Sequence, residues 1–160
     1  MKFVAWFLVI LLVLAIAGVG YLYSTSGVEV ESISAQAYEA QNQQPTFDDL
    51  KRRLENGSVV GTVFQNQPLG ASTDYAFFTY TVRLRNNSLI AADMVEVQVV
   101  PTDMDILQMG SASVRTLPPR SKGEFSATVL SRRDSGSARE LIITYYIWGK
   151  PFVLRKTYGN

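Results

Sequence analysis

The stretch Tyr75–Arg85, YAFFTYTVRLR, decides the fold. Ala76, Phe78, Tyr80, Val82 and Leu84 fall on one side of an extended chain, and Thr79, Thr81, Arg83 and Arg85 on the other. Period two with one apolar side predicts a strand that is buried on one face and wet on the other. Asn86-Asn87-Ser88 breaks it, and the pattern then recurs downstream. Val95, Val97 and Val99 form the next inward row, opposed by Glu96 and Gln98 and closed by Pro101. Ile106–Met109 reads as a short strand ended by a Gly110-Ser111 turn. Leu117–Gly123 reads as a rigid exposed connection, and Phe125, Ala127 and Val129 as another inward row. Leu141–Trp148 is apolar on both faces apart from Thr144, which predicts a central strand. Gly149-Lys150-Pro151 is the last turn, and Phe152–Tyr158, with Arg155 and Lys156, is a final edge strand.

Upstream, Val59–Phe64 is another candidate strand. Val28 and Val30, then Ile33, Ala35 and Ala37, outline a first strand with a break near Ser32. One helix interrupts the strands. After the polar loop Gln41–Pro45, Thr46 is placed to cap a helix over 46–56, with Asp49 three residues on as the second half of a capping box. Phe47, Leu50 and Leu54 share its apolar face, Lys51, Arg52, Arg53 and Glu55 its solvated one, and Asn56-Gly57 stops it. Asp48-Asp49 then lie in the first turn, where the helix dipole favours negative charge. About seven to nine short strands separated by turns are the signature of an antiparallel sandwich.

The amino-terminal end is of a different character. Residues 3–23, FVAWFLVILLVLAIAGVGYLY, are apolar except for Gly18 and Gly20. As a helix they would span about 31 Å, against a hydrocarbon layer of about 30 Å. Trp6 near one end, and Tyr21 and Tyr23 near the other, sit where amphipathic aromatics prefer the headgroup level. Lys2 precedes the run, and the next basic residue is Lys51, so the positive-inside rule puts the N-terminus in the cytoplasm and the remainder outside it. Ala15-Ile16-Ala17 also offers a signal-peptidase site, which would release a secreted domain. The length of the apolar run beyond it favours a retained anchor. The expected organisation is an anchor over 1–23, a short joint over 24–27 and one domain over 28–160.

Composition limits the chemistry. The 160 residues hold 15 Lys+Arg, 14 Asp+Glu, no His and no Cys. Without Cys there are no disulfides, thiolate metal sites or Cys nucleophiles, and without His the commonest general base and zinc ligand is gone. Setting Lys2 aside leaves 14 basic against 14 acidic residues, a balance unlike that of a nucleic-acid binder. A Ser nucleophile would need Lys as its base, and the only close pair, Ser121-Lys122, are neighbours without the S-x-x-K spacing. No Gly-rich phosphate cradle occurs. Asp103-Met104-Asp105 could offer two oxygen ligands to Ca²⁺, but no further ligand follows at calcium-loop spacing. The expectation is therefore no enzyme, no cofactor and no metal.

Binding residues remain. Tyr146 and Trp148 share one side of a strand, where they would pack in the core or form a stacking platform for a sugar or peptide. Arg132, Arg133 and Arg139 flank a Ser/Gly loop that could meet an anionic polymer or a partner. Asn56-Gly57-Ser58 and Asn86-Asn87-Ser88 match N-glycosylation acceptors, relevant only in a eukaryotic secretory pathway.

The segments YTVRLRNNSLIAADMVEVQVV, LPPRSKGEFSATVL and ELIITYYIWGKPFVLRKTY, within about residues 74–158, resemble immunoglobulin-like domains of bacterial and archaeal envelope proteins, the CARDB and fibronectin-III-like groups. Asn86, the Val95/Val97/Val99 row, Leu117-Pro118 and Phe125 occupy the matching places. The resemblance implies an all-β, Ig-like antiparallel sandwich with no shared catalytic residues. The expected function is a single-pass envelope protein, held in the bilayer through residues 3–23, that presents this domain to a protein partner as a subunit of a membrane complex. The rival expectation is a module that binds cell-wall glycan or another envelope polymer.

Overall fold

A computed structural model describes residues 2–24, 27–110 and 115–159. Thr25 and Ser26 of the expected joint, and Ser111 of the expected turn, lie outside the described residues. The apolar run forms α1 (Lys2–Ser24), exposed along nearly its whole length and long and apolar enough to cross a membrane. The helix thus runs one residue past the expected anchor boundary.

The rest is mostly β, in two antiparallel sheets. The strands are β1 (Val28–Glu39), β2 (Gly61–Val63), β3 (Tyr75–Asn86), β4 (Ala92–Val99), β5 (Asp105–Met109), β6 (Arg115–Leu117), β7 (Lys122–Arg132), β8 (Arg139–Ile147) and β9 (Lys150–Tyr158). One sheet has the order β1-β3-β7-β5-β2, the other β6-β4-β8-β9. The inward rows read from the sequence on β3, β4 and β7 line the core between them, and on β8, expected to be apolar on both faces, only alternate residues from Leu141 turn inward. Ala76, Phe78, Tyr80, Val82 and Leu84 of β3 and Phe125, Ala127 and Val129 of β7 face Val95, Val97 and Val99 of β4 and Leu141, Ile143, Tyr145 and Ile147 of β8. Tyr145 stacks on Phe152 at 5.4 Å between ring centroids.

The break near Ser32 is a β-bulge. Val30 pairs with Leu84 and Ser32 with Arg83, so Glu31 is the extra residue. It shifts the inward parity from Val28 and Val30 to Ile33 and Ala35, because the side-chain period of a strand is two, while Ala37 farther along is exposed. A second irregularity, between Asp93 and Glu96, does the same from Ala92 to Val95, and there Met94 takes φ 51°.

Four expectations are corrected. The helix, α2, spans Gln44–Glu55 rather than 46–56, preceded by a 3-10 turn at Ala40–Gln43 where a polar loop was expected. Thr46 is inside it and caps nothing. Pro45 occupies the first turn, where its missing N–H costs no bond. Asp48 and Asp49 therefore fall one turn in, and Asp49 pairs with Arg52 and with Arg53 at 2.7 Å. Gly57, at φ 64°, ends the helix as expected.

Next, β3 is not wet along its whole second face. Phe47, Leu50 and Leu54 of α2 pack on Tyr75, Phe77, Leu107 and Leu130, forming a second core outside the five-stranded sheet. The strand in 59–64 shrinks to β2. Finally, the last turn is Trp148-Gly149, one residue earlier than expected. Both residues have positive φ, 50° and 75°, as a two-residue hairpin closing β8 and β9 requires, and Lys150 and Pro151 belong to edge strand β9. Trp148 is consequently lifted out of the strand and is 56% exposed, not core.

Candidate functional site

Each sheet has an outer face, and the two differ. The five-stranded sheet is capped by α2 at one end and laced with charge at the other. Lys122 donates to Glu31 at 2.8 Å, Arg85 pairs with the same carboxylate, and Arg83 lies 3.4 Å from Glu124. The hydrogen bond from Lys122, with the Arg85 charge, outweighs desolvation and holds the Glu31 carboxyl below the usual carboxylate range.

Among the described residues no helix packs over the four-stranded sheet. Its outward positions on β8 are Glu140, Ile142, Thr144 and Tyr146, all half-buried. Across from them on β9 stand Thr157, Arg155, Val153 and Pro151, and on β4 Gln98 faces Ile142, Glu96 faces Thr144 and Asp93 faces Tyr146. The result is an apolar strip of Ile142, Tyr146, Pro151 and exposed Val153, edged by Glu96, Gln98 and the Arg155–Glu140 ion pair at 3.2 Å. This strip is the candidate interaction face.

The sequence-derived site residues divide between the two ends of the sandwich. Tyr146 is on this face, and Trp148 sits beside it at the tip of the β8–β9 hairpin. Arg132 and Arg133 lie at the opposite end of β8, roughly 27 Å away along a nine-residue strand. They line an open cleft of about 680 Å³ with Thr73, Asp74, Tyr75 and Asp134. Arg133 is paired with Glu39. No single ligand of modest size touches both groups.

Arg139 is not an exposed member of that loop. It is buried with Asp105, which is itself no solvated calcium ligand. Arg139 Nε donates to Asp105 Oδ2 at 3.0 Å and Nη2 to Oδ1 at 2.8 Å, while Nη1 reaches the Ala138 carbonyl at 2.7 Å. The pair ties β5 of one sheet to β8 of the other. Burial pushes the Asp105 carboxyl up, but the hydrogen bonds from Arg139 and the Thr102 N–H outweigh it and leave it below its ordinary value. Gln108 makes a second tie from β5, accepting from the Val99 N–H at 2.8 Å and donating to the Val97 carbonyl at 3.1 Å. Beside them, burial pushes the Tyr80 hydroxyl up to about 12, and it donates to the Ser137 carbonyl at 3.0 Å.

Asn86, read as a turn residue and a glycosylation acceptor, is fully buried. Its Nδ2 donates to the carbonyls of Ile90, Leu117 and Pro118 at 2.8, 3.2 and 3.1 Å, and its Oδ1 accepts from the Ser88 N–H and hydroxyl. The amide nitrogen a glycan would need is thus enclosed in the folded chain. Ser121 donates to the Pro118 carbonyl at 2.8 Å and Lys122 to Glu31, so the two neighbours form no dyad. Among the described residues no group of three or more carboxylates is placed to hold a metal ion. The buried roles of Asp105 and Arg139 had one sequence signal: each charge opens an apolar strand, directly before Ile106-Leu107 and two residues before Leu141.

No family model and no curated protein matches the chain. Among solved structures, the cupredoxin domain of amoB from Nitrosocaldus yellowstonii is similar at 15% identity and a TM-score of 0.40, over 81% of this chain and 84% of that one.

Proposed function

We propose that this chain is a single-pass membrane protein whose sandwich, of immunoglobulin-like type, stands outside the cytoplasm and binds another envelope protein, as an accessory or structural subunit rather than an enzyme. One observation carries this reading: the uncovered strip Ile142, Tyr146, Pro151 and Val153, an apolar centre with a charged rim, which is the composition of a protein-binding patch. The Ig-like assignment is supported by strand order. The order β1-β3-β7-β5 parallels A-B-E-D and the order β4-β8-β9 parallels C-F-G, with β2 and β6 as additions. Lys2 before α1, and no further basic residue until Lys51, supports the orientation.

The test is purification of the tagged full chain from native membranes in mild detergent, alongside Val153→Arg. Val153 is exposed, so the substitution leaves the fold intact while placing a charge in the strip. A defined partner that accompanies the natural chain and is lost with V153R supports the reading. Recovery of the free monomer alone, or a partner indifferent to V153R, overturns it.

A further inference from the structure

β1 begins four residues after the anchor helix ends, so the start of β1 is the end of the sandwich tethered to the membrane. Four loops or turns meet there. Gly27 accepts from the Asn87 N–H at 3.2 Å, and the Arg120 N–H donates to Ser88 O at 3.1 Å. These bonds join the approach to β1, the β3–β4 loop and the β6–β7 turn, with Asn86 buried beneath them. The β8–β9 turn closes at the same end, because β8 runs parallel to β3 through its neighbours. From Ser24, where α1 ends, to Val28 is four residues, a reach of at most about 14 Å. The headgroup layer on one side of a bilayer is about 5–8 Å deep. The tether therefore holds these loops at the lipid surface.

Their side chains match that place. Leu89 and Trp148, 54% and 56% exposed, are the large apolar groups of the β3–β4 loop and the β8–β9 turn. Residues 87–91, 118–121 and 147–150 contain Arg120 and Lys150 and no carboxylate. A cleft of about 350 Å³ opens between the first two loops, lined by Arg85, Asn86, Asn87, Arg120 and Lys122. Arg85 and Lys122 in its lining are ion-paired with Glu31.

We infer that this end of the sandwich docks on the anionic phospholipid surface of the membrane that holds its own anchor. Trp148 and Leu89 enter the interface, where indole and leucyl groups are favoured. Arg120 takes lipid phosphates. The inference rests on the membrane-anchored reading above. Its consequence is orientation: with the loop end against the lipid, the Ile142–Val153 strip stands upright beside the anchor, facing whatever shares the bilayer.

The two tryptophans of the full chain, Trp6 and Trp148, supply a test with its own control. The Trp6→Phe chain, reconstituted in phosphatidylcholine/phosphatidylglycerol vesicles carrying a nitroxide-labelled lipid, is expected to lose most of its Trp148 emission to the nitroxide. Arg120→Glu with Leu89→Glu should restore that emission, each negative charge introduced at the surface lowering the docked-to-undocked ratio about fivefold or more. Trp148 emission that the nitroxide leaves intact and acrylamide quenches fully overturns the inference. So does a Trp148 response to soluble cell-wall glycan without lipid quenching, which points to a polymer site instead. The Trp148→Phe chain reports Trp6. If Trp6 is quenched while Trp148 is not, the anchor stands and only the docking fails. If neither is quenched, the anchored reading falls as well.

Discussion

Replacing Arg139 by Met removes a buried charge while keeping most of the side-chain volume over the Phe78 ring. Asp105, fully buried, then loses both hydrogen bonds from Arg139 and keeps those from the N–H and hydroxyl of Thr102, at 2.7 and 3.0 Å. A buried carboxylate without its cation has two outcomes, and the cheaper one sets the cost. Remaining ionised costs several kcal/mol. Taking a proton at pH 7 costs about 1.4 kcal/mol for each unit between pH 7 and the ordinary carboxylate value of about 3.9, a ceiling of about 4 kcal/mol. R139M should therefore lose about 3–4 kcal/mol at pH 7. The sign of the pH dependence follows. In the natural chain the Asp105 carboxyl lies below its ordinary value, so its contribution is present above about pH 3.9 and fades as pH falls through the folded value. In R139M the carboxyl is raised, so the penalty grows as pH rises above about 3.9. The gap between the two chains is widest at neutral pH and narrows towards pH 4. Urea unfolding of the full chain in detergent micelles, followed by circular dichroism at several pH values, measures it. Adding Asp105→Asn to R139M should recover much of the loss at pH 7 and remove the pH dependence. A loss below about 1 kcal/mol, or one equal at pH 4 and pH 7, would refute the assignment of the ion pair as the tie between sheets.

Two further outcomes are expected. Trp148→Ala should change unfolding free energy by no more than about 0.5 kcal/mol, as for a surface side chain; a loss of about 3–5 kcal/mol would mean that the indole is core after all. Asn86→Ala should cost about 3 kcal/mol in the same assay, since it strands the Leu117 carbonyl and the Ser88 N–H in a buried site and frees the loops they join.

Strand existence and inward facing were legible because a half-buried strand writes its environment directly into every second residue. The rows at 76–84, 95–99 and 125–129 face the core as read, whereas β8 looked apolar on both sides and only Leu141, Ile143, Tyr145 and Ile147 turn inward. Even the bulge at Glu31 was visible, as a slip in parity near Ser32. Helix α2 was legible from Phe47, Leu50 and Leu54, but its start was not: the capping residues at Thr46 and Asp49 carried the usual signature while Pro45 and the preceding 3-10 turn moved the first turn upstream. Of the candidate binding residues, the shared side of Tyr146 and Trp148 could not be read from alternation, because a two-residue turn suspends the strand period at Trp148.

What the sequence determined alone is local and periodic: an apolar helix of membrane length, a set of strands with their inner faces, and a chain without His or Cys. What only the tertiary structure decided is which distant residues meet. Asp105 and Arg139 are 34 positions apart, and nothing in either neighbourhood specifies the other as its counter-ion. The order of strands in the two sheets sets that meeting, as it sets Asn86 beneath three loops and leaves one sheet face bare. Periodicity reports whether a side chain faces apolar surroundings, and pairing in space follows from how whole sheets stack.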